Sequence, residues 1–143
     1  MAVHYCDGWE FVEHAVAPYD IVVIDLPDER VEPAQHNRLY DTAFLRRCRD
    51  IGRVVVAQAG CPTLWRIESL RLSCLRFNEN FPTVSHFGVE EHGWAFLCGL
   101  ADADADTIAA VVARLPTLSY QPRSIDADTL VVASVQPKSL REG

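Results

Sequence analysis

Tyr19-Asp20-Ile21-Val22-Val23-Ile24-Asp25-Leu26-Pro27-Asp28 holds an unbroken β-branched run between a polar turn and two carboxylates. The turn is Ala17-Pro18-Tyr19-Asp20, and the run is Ile21 to Ile24. A short apolar run without alternation predicts a strand buried on both faces, as in a parallel sheet covered by helices. In open α/β sheets ligands bind just beyond the carboxyl ends of the strands. Asp25 and Asp28 are therefore expected at the functional edge of such a sheet.

Outward from this strand the pattern alternates. Val3 to Cys6 reads as a short strand stopped by Asp7-Gly8, and Trp9 to Val16 as a helix with Trp9, Val12 and Val16 on one face. Glu29 to Arg38 is polar, contains Pro33 and reads as a loop. Leu39 to Arg49 has helical spacing, with Arg46, Arg47 and Arg49 in its last turn, where cations suit the helix dipole. Arg53 to Ala57 is a second buried strand ending at Gln58. Gly60 to Thr63 reads as a loop and N-cap, and Leu64 to Phe77 as a helix. Phe81 to Phe87 and Trp94 to Leu100 are further strands, with Gly88 to Gly93 between them. Ile108, Val111, Val112 and Leu115 share one side of a helix that Pro116 ends. Thr129 to Val135 is a last apolar piece. Strand, helix, strand, helix indicates an α/β domain with a parallel sheet.

The totals narrow the function. A chain of 143 residues, nearly half apolar, suits one domain with its own core. A net charge of -7 argues against a nucleic-acid or anionic-membrane surface and is compatible with a cationic small substrate. No apolar run approaches a membrane span, and no signal peptide is visible. The five cysteines, Cys6, Cys48, Cys61, Cys74 and Cys98, form no CxxC pair and suggest a reducing cytoplasm.

Four segments, in order, resemble one known family. Asp7-Gly8-Trp9-Glu10-Phe11, Tyr19 to Asp28 with its Asp-x-x-Asp, Val55-Val56-Ala57-Gln58, and Ile125 through Lys138 are similar to the C-terminal half of polyamine aminopropyltransferases, the spermidine and spermine synthases. Pro33-Ala34 resembles the Gly-Pro-Ala that follows the family's second acid, one residue late. The resemblance implies a Rossmann-like, class I methyltransferase-type sheet, its C-terminal half, partly parallel and flanked by helices, as one domain over residues 1–143. It implies transfer of an aminopropyl group from decarboxylated S-adenosylmethionine, a co-substrate and not a resident cofactor, to an amine such as putrescine. Asp25 would be the base, Asp28 the amine ligand, Gln58 and Pro33 pocket residues, and Asp7 with Gly8 the contact to the donor's adenine.

The departures are as specific. The family's glycine-rich donor loop, its ribose-binding acid and its N-terminal β domain have no counterpart here. Glu29 stands where the family usually has Pro, and Phe87 to Gly93 lacks a substrate-facing Tyr. The resemblance thus implies either an enzyme active with a homodimer mate or a partner chain supplying the other half, or a non-catalytic binding subunit that kept the fold. A methyltransferase relative is a third reading.

The remaining signals have plainer explanations. His86 and His92, beside Glu90 and Glu91, lack metal-ligand spacing and read as solvated loop residues. Asp102, Asp104 and Asp106 mimic a calcium loop, but Thr107 stands where its Gly should be and Ala113 where its Glu should be. Asp106 reads instead as an N-cap. Cys61 has no evident base partner. Trp9, Trp65 and Trp94 read as core or interface aromatics.

Overall fold

In the computed structural model, residues 2–16, 18–27, 29–30, 32–60, 67–89, 93–103 and 107–141 are described. Strands β1 (Tyr19–Ile24), β2 (Gly52–Gln58), β3 (Thr83–Val89) and β4 (Trp94–Leu100) form one sheet in the order β1-β2-β4-β3. β1 and β2 are parallel, and the β2–β4 and β3–β4 pairs are antiparallel. Helices α1 (Gly8–His14), α2 (Thr42–Ile51) and α3 (Ile67–Asn80) precede and connect the strands. Helices α4 (Thr107–Arg114), α5 (Ala127–Ser134) and α6 (Lys138–Arg141) follow them. The expected α/β class and partly parallel sheet are present.

One sheet face makes the core. α2 buries Phe44, Leu45, Cys48 and Ile51, and α3 buries Leu70, Cys74 and Phe77. They close over Ile24, Val55, Ala57, Ala95 and Leu97. Burial pushes the Cys48 thiol up to about 12 and that of Cys74 to about 11, so both are inert apolar fillers. α2 starts at Asp41, whose carboxylate accepts from the Phe44 N–H at 2.7 Å. α5 starts with a capping box between Asp126 and Thr129.

Gly99 shows how tightly this face is filled. Phe81, stacked on Phe77 with centroids 5.2 Å apart, lies across it, and a methyl on Gly99 would come within 2.4 Å of the Phe81 ring. Gly99→Ala is expected to destabilise the fold by about 1–3 kcal/mol through overpacking. A lowered denaturant midpoint with an unchanged slope is the measurement that checks it.

The other sheet face differs from expectation. By register, Ile21 and Val23 of β1 share it with Val54 and Val56 of β2 and with Phe96 and Trp94 of β4. Ile21 is 59% exposed, Val23 67%, Trp94 49% and Phe96 43%. β1 is therefore not buried on both faces. It is an edge strand, hydrogen-bonded to β2 alone among the described residues. An apolar run records which faces a strand can bury, not which are covered in one chain.

Other boundaries moved for local reasons. Residues 3–5 form no strand, and α1 ends at His14, leaving Val16 exposed. Part of the expected Glu29 to Arg38 loop is a 3-10 helix, Gln35–Tyr40, so α2 begins at Thr42 instead of Leu39. β3 runs from Thr83 to Val89, two residues later than expected at each end. The readings placed on Cys61 to Thr63, Trp65, Glu90 to His92, Asp104 and Asp106 lie outside the described residues.

Candidate active site

Asp25 is the first residue after β1 and is exposed. Tyr19 pairs with Gly52 and Ile24 with Ala57, so one residue further Asp25 lies level with Gln58 at the end of β2. The carboxyl ends of both parallel strands thus meet at one sheet end, where α/β folds bind ligands. Gln58 is half-buried there.

A groove of about 490 Å³ runs along the free edge of β1 and reaches Asp25. Residues 21–26 line it from one side. His4, Cys6, Gly8 and Phe11 line it from the other, and Phe44, Cys48 and Ile51 of α2 lie at its base. The Phe11 ring bridges the walls, with centroids 5.8 Å from His4 and 6.4 Å from Tyr19. The structure therefore brings Asp25 and Gly8 to one apolar trough.

Asp7 is used differently. Its carboxylate caps α1, accepting from Trp9 N–H at 2.9 Å and Glu10 N–H at 3.5 Å, and it pairs with the Arg38 guanidinium. It lines a separate shallow surface with Trp9, Glu10, Glu13 and Arg38. Pro33 is exposed on the loop after β1, and Asp28 lies outside the described residues.

Residues to which the sequence pattern assigns no role bond Leu26, Pro27, Glu29, Arg30 and Glu32. The Tyr40 hydroxyl donates to the carbonyls of Leu26 and Pro27. Arg76 of α3 grips Glu29 through two hydrogen bonds, at 2.6 and 3.1 Å, with both side chains mostly buried. The Asn37 amide bonds Arg30 O at 2.7 Å and Glu32 O at 3.2 Å, and its oxygen accepts from Arg30 N–H at 3.1 Å. A bidentate Arg–carboxylate pair resists rotation of both partners, so Glu29 is tied to α3. Glu29, where the family usually has Pro, thus has a structural use. The partners are 47 residues apart, and no local pattern signals them.

His86 is the clearest correction. It lies inside β3 and is 3% exposed, so it is no solvated loop residue. Among the described residues no group of three His, Cys, Asp or Glu could hold a metal. No helix among them is long and apolar enough to cross a membrane.

No family model matches the chain, and no curated protein matches it. Solved structures do. A crystal structure of spermidine synthase in complex with the transition-state analogue AdoDATO superimposes with a TM-score of 0.72 at 17% identity. The match covers 95% of this chain and 46% of that one. Spermidine synthase from Thermotoga maritima gives 0.71, also at 17% identity, over 96% of this chain and 47% of that one. The chain has the fold of one half of a spermidine synthase. It fits the C-terminal half and spans about half the length of the structures it matches. At this identity the likeness is one of fold.

Proposed function

We propose that this chain is the amine-binding half of a spermidine-synthase-like aminopropyltransferase, completed in the cytoplasm by a second copy or by a partner chain. The observation that carries this reading is Asp25, the acid of the resemblance, standing at the carboxyl end of β1 in a chain with the fold of one half of a spermidine synthase. Asp28 holds the protonated amine, and Gln58 and Pro33 shape its pocket. Asp25 takes the proton of the attacking nitrogen. The nitrogen's lone pair then forms a bond to the propyl carbon of decarboxylated S-adenosylmethionine as that carbon's bond to the sulfonium sulfur breaks. Gly8 lies in the same groove as Asp25, in keeping with a donor site beside it. Asp7 meets the adenine from the start of α1.

One observation favours the second reading, a binding subunit without activity. The Asp7 carboxylate is already engaged by the α1 cap and by Arg38, so an adenine would compete with both.

Calorimetry distinguishes the amine site from a mere relic. Putrescine or spermidine is expected to bind the chain, and Asp28→Asn to weaken binding about tenfold, the worth of one charge-assisted hydrogen bond. Absence of polyamine binding, or equal binding by the variant, removes Asp28 from the site.

A further inference from the structure

His86 stands opposite buried Leu97 on the core side of β3, an edge strand of the sheet. It is buried, yet neither Nδ1 nor Nε2 has a hydrogen-bond partner among the described residues. The ring is closely enclosed, since a methyl on Gly88 would lie 2.7 Å from its Cε1 and 2.9 Å from its Nε2. A buried side chain with both polar atoms unmet is rare in a folded protein. Imidazolium carries a full charge and two N–H donors, so burying it unpaired costs more still. Burial accordingly holds the pKa of His86 below the ordinary 6.5, and the Ala133 backbone carbonyl of α5 opposes this only in part.

Among the described residues no carboxylate steadies a proton there. β4 carries no Asp, Glu, Lys or Arg. On α3, Arg76 is held by Glu29, Glu79 accepts from the Thr42 hydroxyl, and Glu68 and Arg71 are exposed. Asp128 of α5 and Lys138 of α6 are exposed, and Arg141 of α6, a like charge, lines the cavity beside β3. The Cys74 and Cys98 thiols, each pushed up to about 11 by burial, stay neutral. A proton on His86 therefore needs water, and water needs one of the packed elements to lift. β4 is paired with β3 along its length, and α3 buries Leu70, Cys74, Phe77 and Asn80. α5 packs on β3, but neither it nor α6 buries a residue fully. Of the two helices only Leu140 reaches the core, and it is partly buried. Segments with so little buried surface open at the lowest free energy.

We infer that α5 and α6 form an acid-sensitive latch on β3: a proton taken up by His86 frees them from the sheet, while the core under α2 and α3 stays folded. The open state binds the proton with ordinary affinity and the closed state binds it more weakly. Closure is therefore complete above the ordinary pKa of 6.5 and weakens as the pH falls below it. For one proton the change is up to about tenfold per pH unit, until the buried ring itself titrates. The Asp126 cap of α5 does not supply this dependence, because its hydrogen bonds from Thr129 lower its pKa and keep it charged through the same range. The latch is at the other edge of the sheet from the β1 groove and does not rest on the polyamine reading.

The test is amide hydrogen exchange of the full chain from about pH 7.5 to about pH 5, corrected for the intrinsic pH dependence of exchange. Protection of the α5 and α6 amides is expected to fall below pH 6.5 with the slope of one proton, while that of α2 and β2 holds. His86→Leu, which keeps bulk at the position and cannot titrate, is expected to abolish the slope. Asp126→Ala, which removes the capping box, is expected to lower α5 protection about fivefold at every pH and to leave the slope unchanged. Flat protection in the parent, the same slope in His86→Leu, or loss of protection in α2 and β2 together with α5 overturns the latch. Should His86→Leu fail to fold, the Asp126→Ala chain still decides: a slope lost there belongs to the cap, and the latch is overturned.

Discussion

Asp25→Asn is expected to lower aminopropyl transfer by about two to four orders of magnitude in any assembly in which this chain is active. An alkylammonium nitrogen has no lone pair to attack with until its proton leaves. Asparagine keeps the size and the hydrogen-bonding reach of Asp25 but cannot take that proton. The side chain is exposed one residue past β1, so its replacement disturbs neither the β1–β2 ladder nor the core under α2. Loss of rate can therefore be separated from loss of fold by circular dichroism and by the melting temperature. Single-turnover rates of parent and variant, with saturating amine and donor, give the comparison. Equal rates would remove Asp25 as the base and leave the binding-subunit reading. A fall in affinity alone would make Asp25 an amine ligand beside Asp28.

Legibility followed the range of the forces. β4 was read with its observed bounds, because Trp94 to Leu100 lies between turn residues and needs only local pattern. β2 was read within one residue at each end, because Gly52 and Gln58 punctuate it. The place of Asp25 at the carboxyl end of β1 is legible because a strand's end is a local event. What failed needed knowledge of neighbours. The run at Ile21 to Ile24 reads as doubly buried, yet one face is open, because the strand's own residues do not decide what packs on it. His86 lies opposite buried Leu97 on the core face of β3, and its burial there depends on packing between elements distant in the chain. The Glu29–Arg76 clamp and the Tyr40 bonds to the loop after Asp25 join elements distant in the chain, and short patterns carry no trace of them. Asp7 admitted two readings, turn acid and adenine contact, and the structure puts it to use as a helix cap.

The 143-residue chain is expected not to persist as a monomer. β1 bonds β2 on one side, and its other side borders the groove of about 490 Å³. An edge strand of six residues with Ile21 and Val23 exposed is a template for a further strand from another chain. The same open face carries Phe96 and Trp94, which widens the apolar area beyond the edge itself. Parallel sheets are found with both faces covered, and here the parallel pair β1–β2 is covered on one. Two outcomes satisfy these needs: a homodimer joined along β1, or a partner chain that supplies a strand to the groove and helices to the open face. Light scattering across a dilution series should show a dimer or larger species that dissociates only with loss of structure. Val23→Lys, placing a charge on the exposed face of the edge strand, should shift that equilibrium towards smaller species, because charges on edges block pairing. It removes no buried contact from the core under α2, so a folded but dissociated variant locates the interface at β1. A well-folded parent monomer at low concentration, with the same melting temperature as at high concentration, would mean that the edge is tolerated in water. The groove beside Asp25 would then have to be a substrate cleft in its own right and not the seat of a second chain.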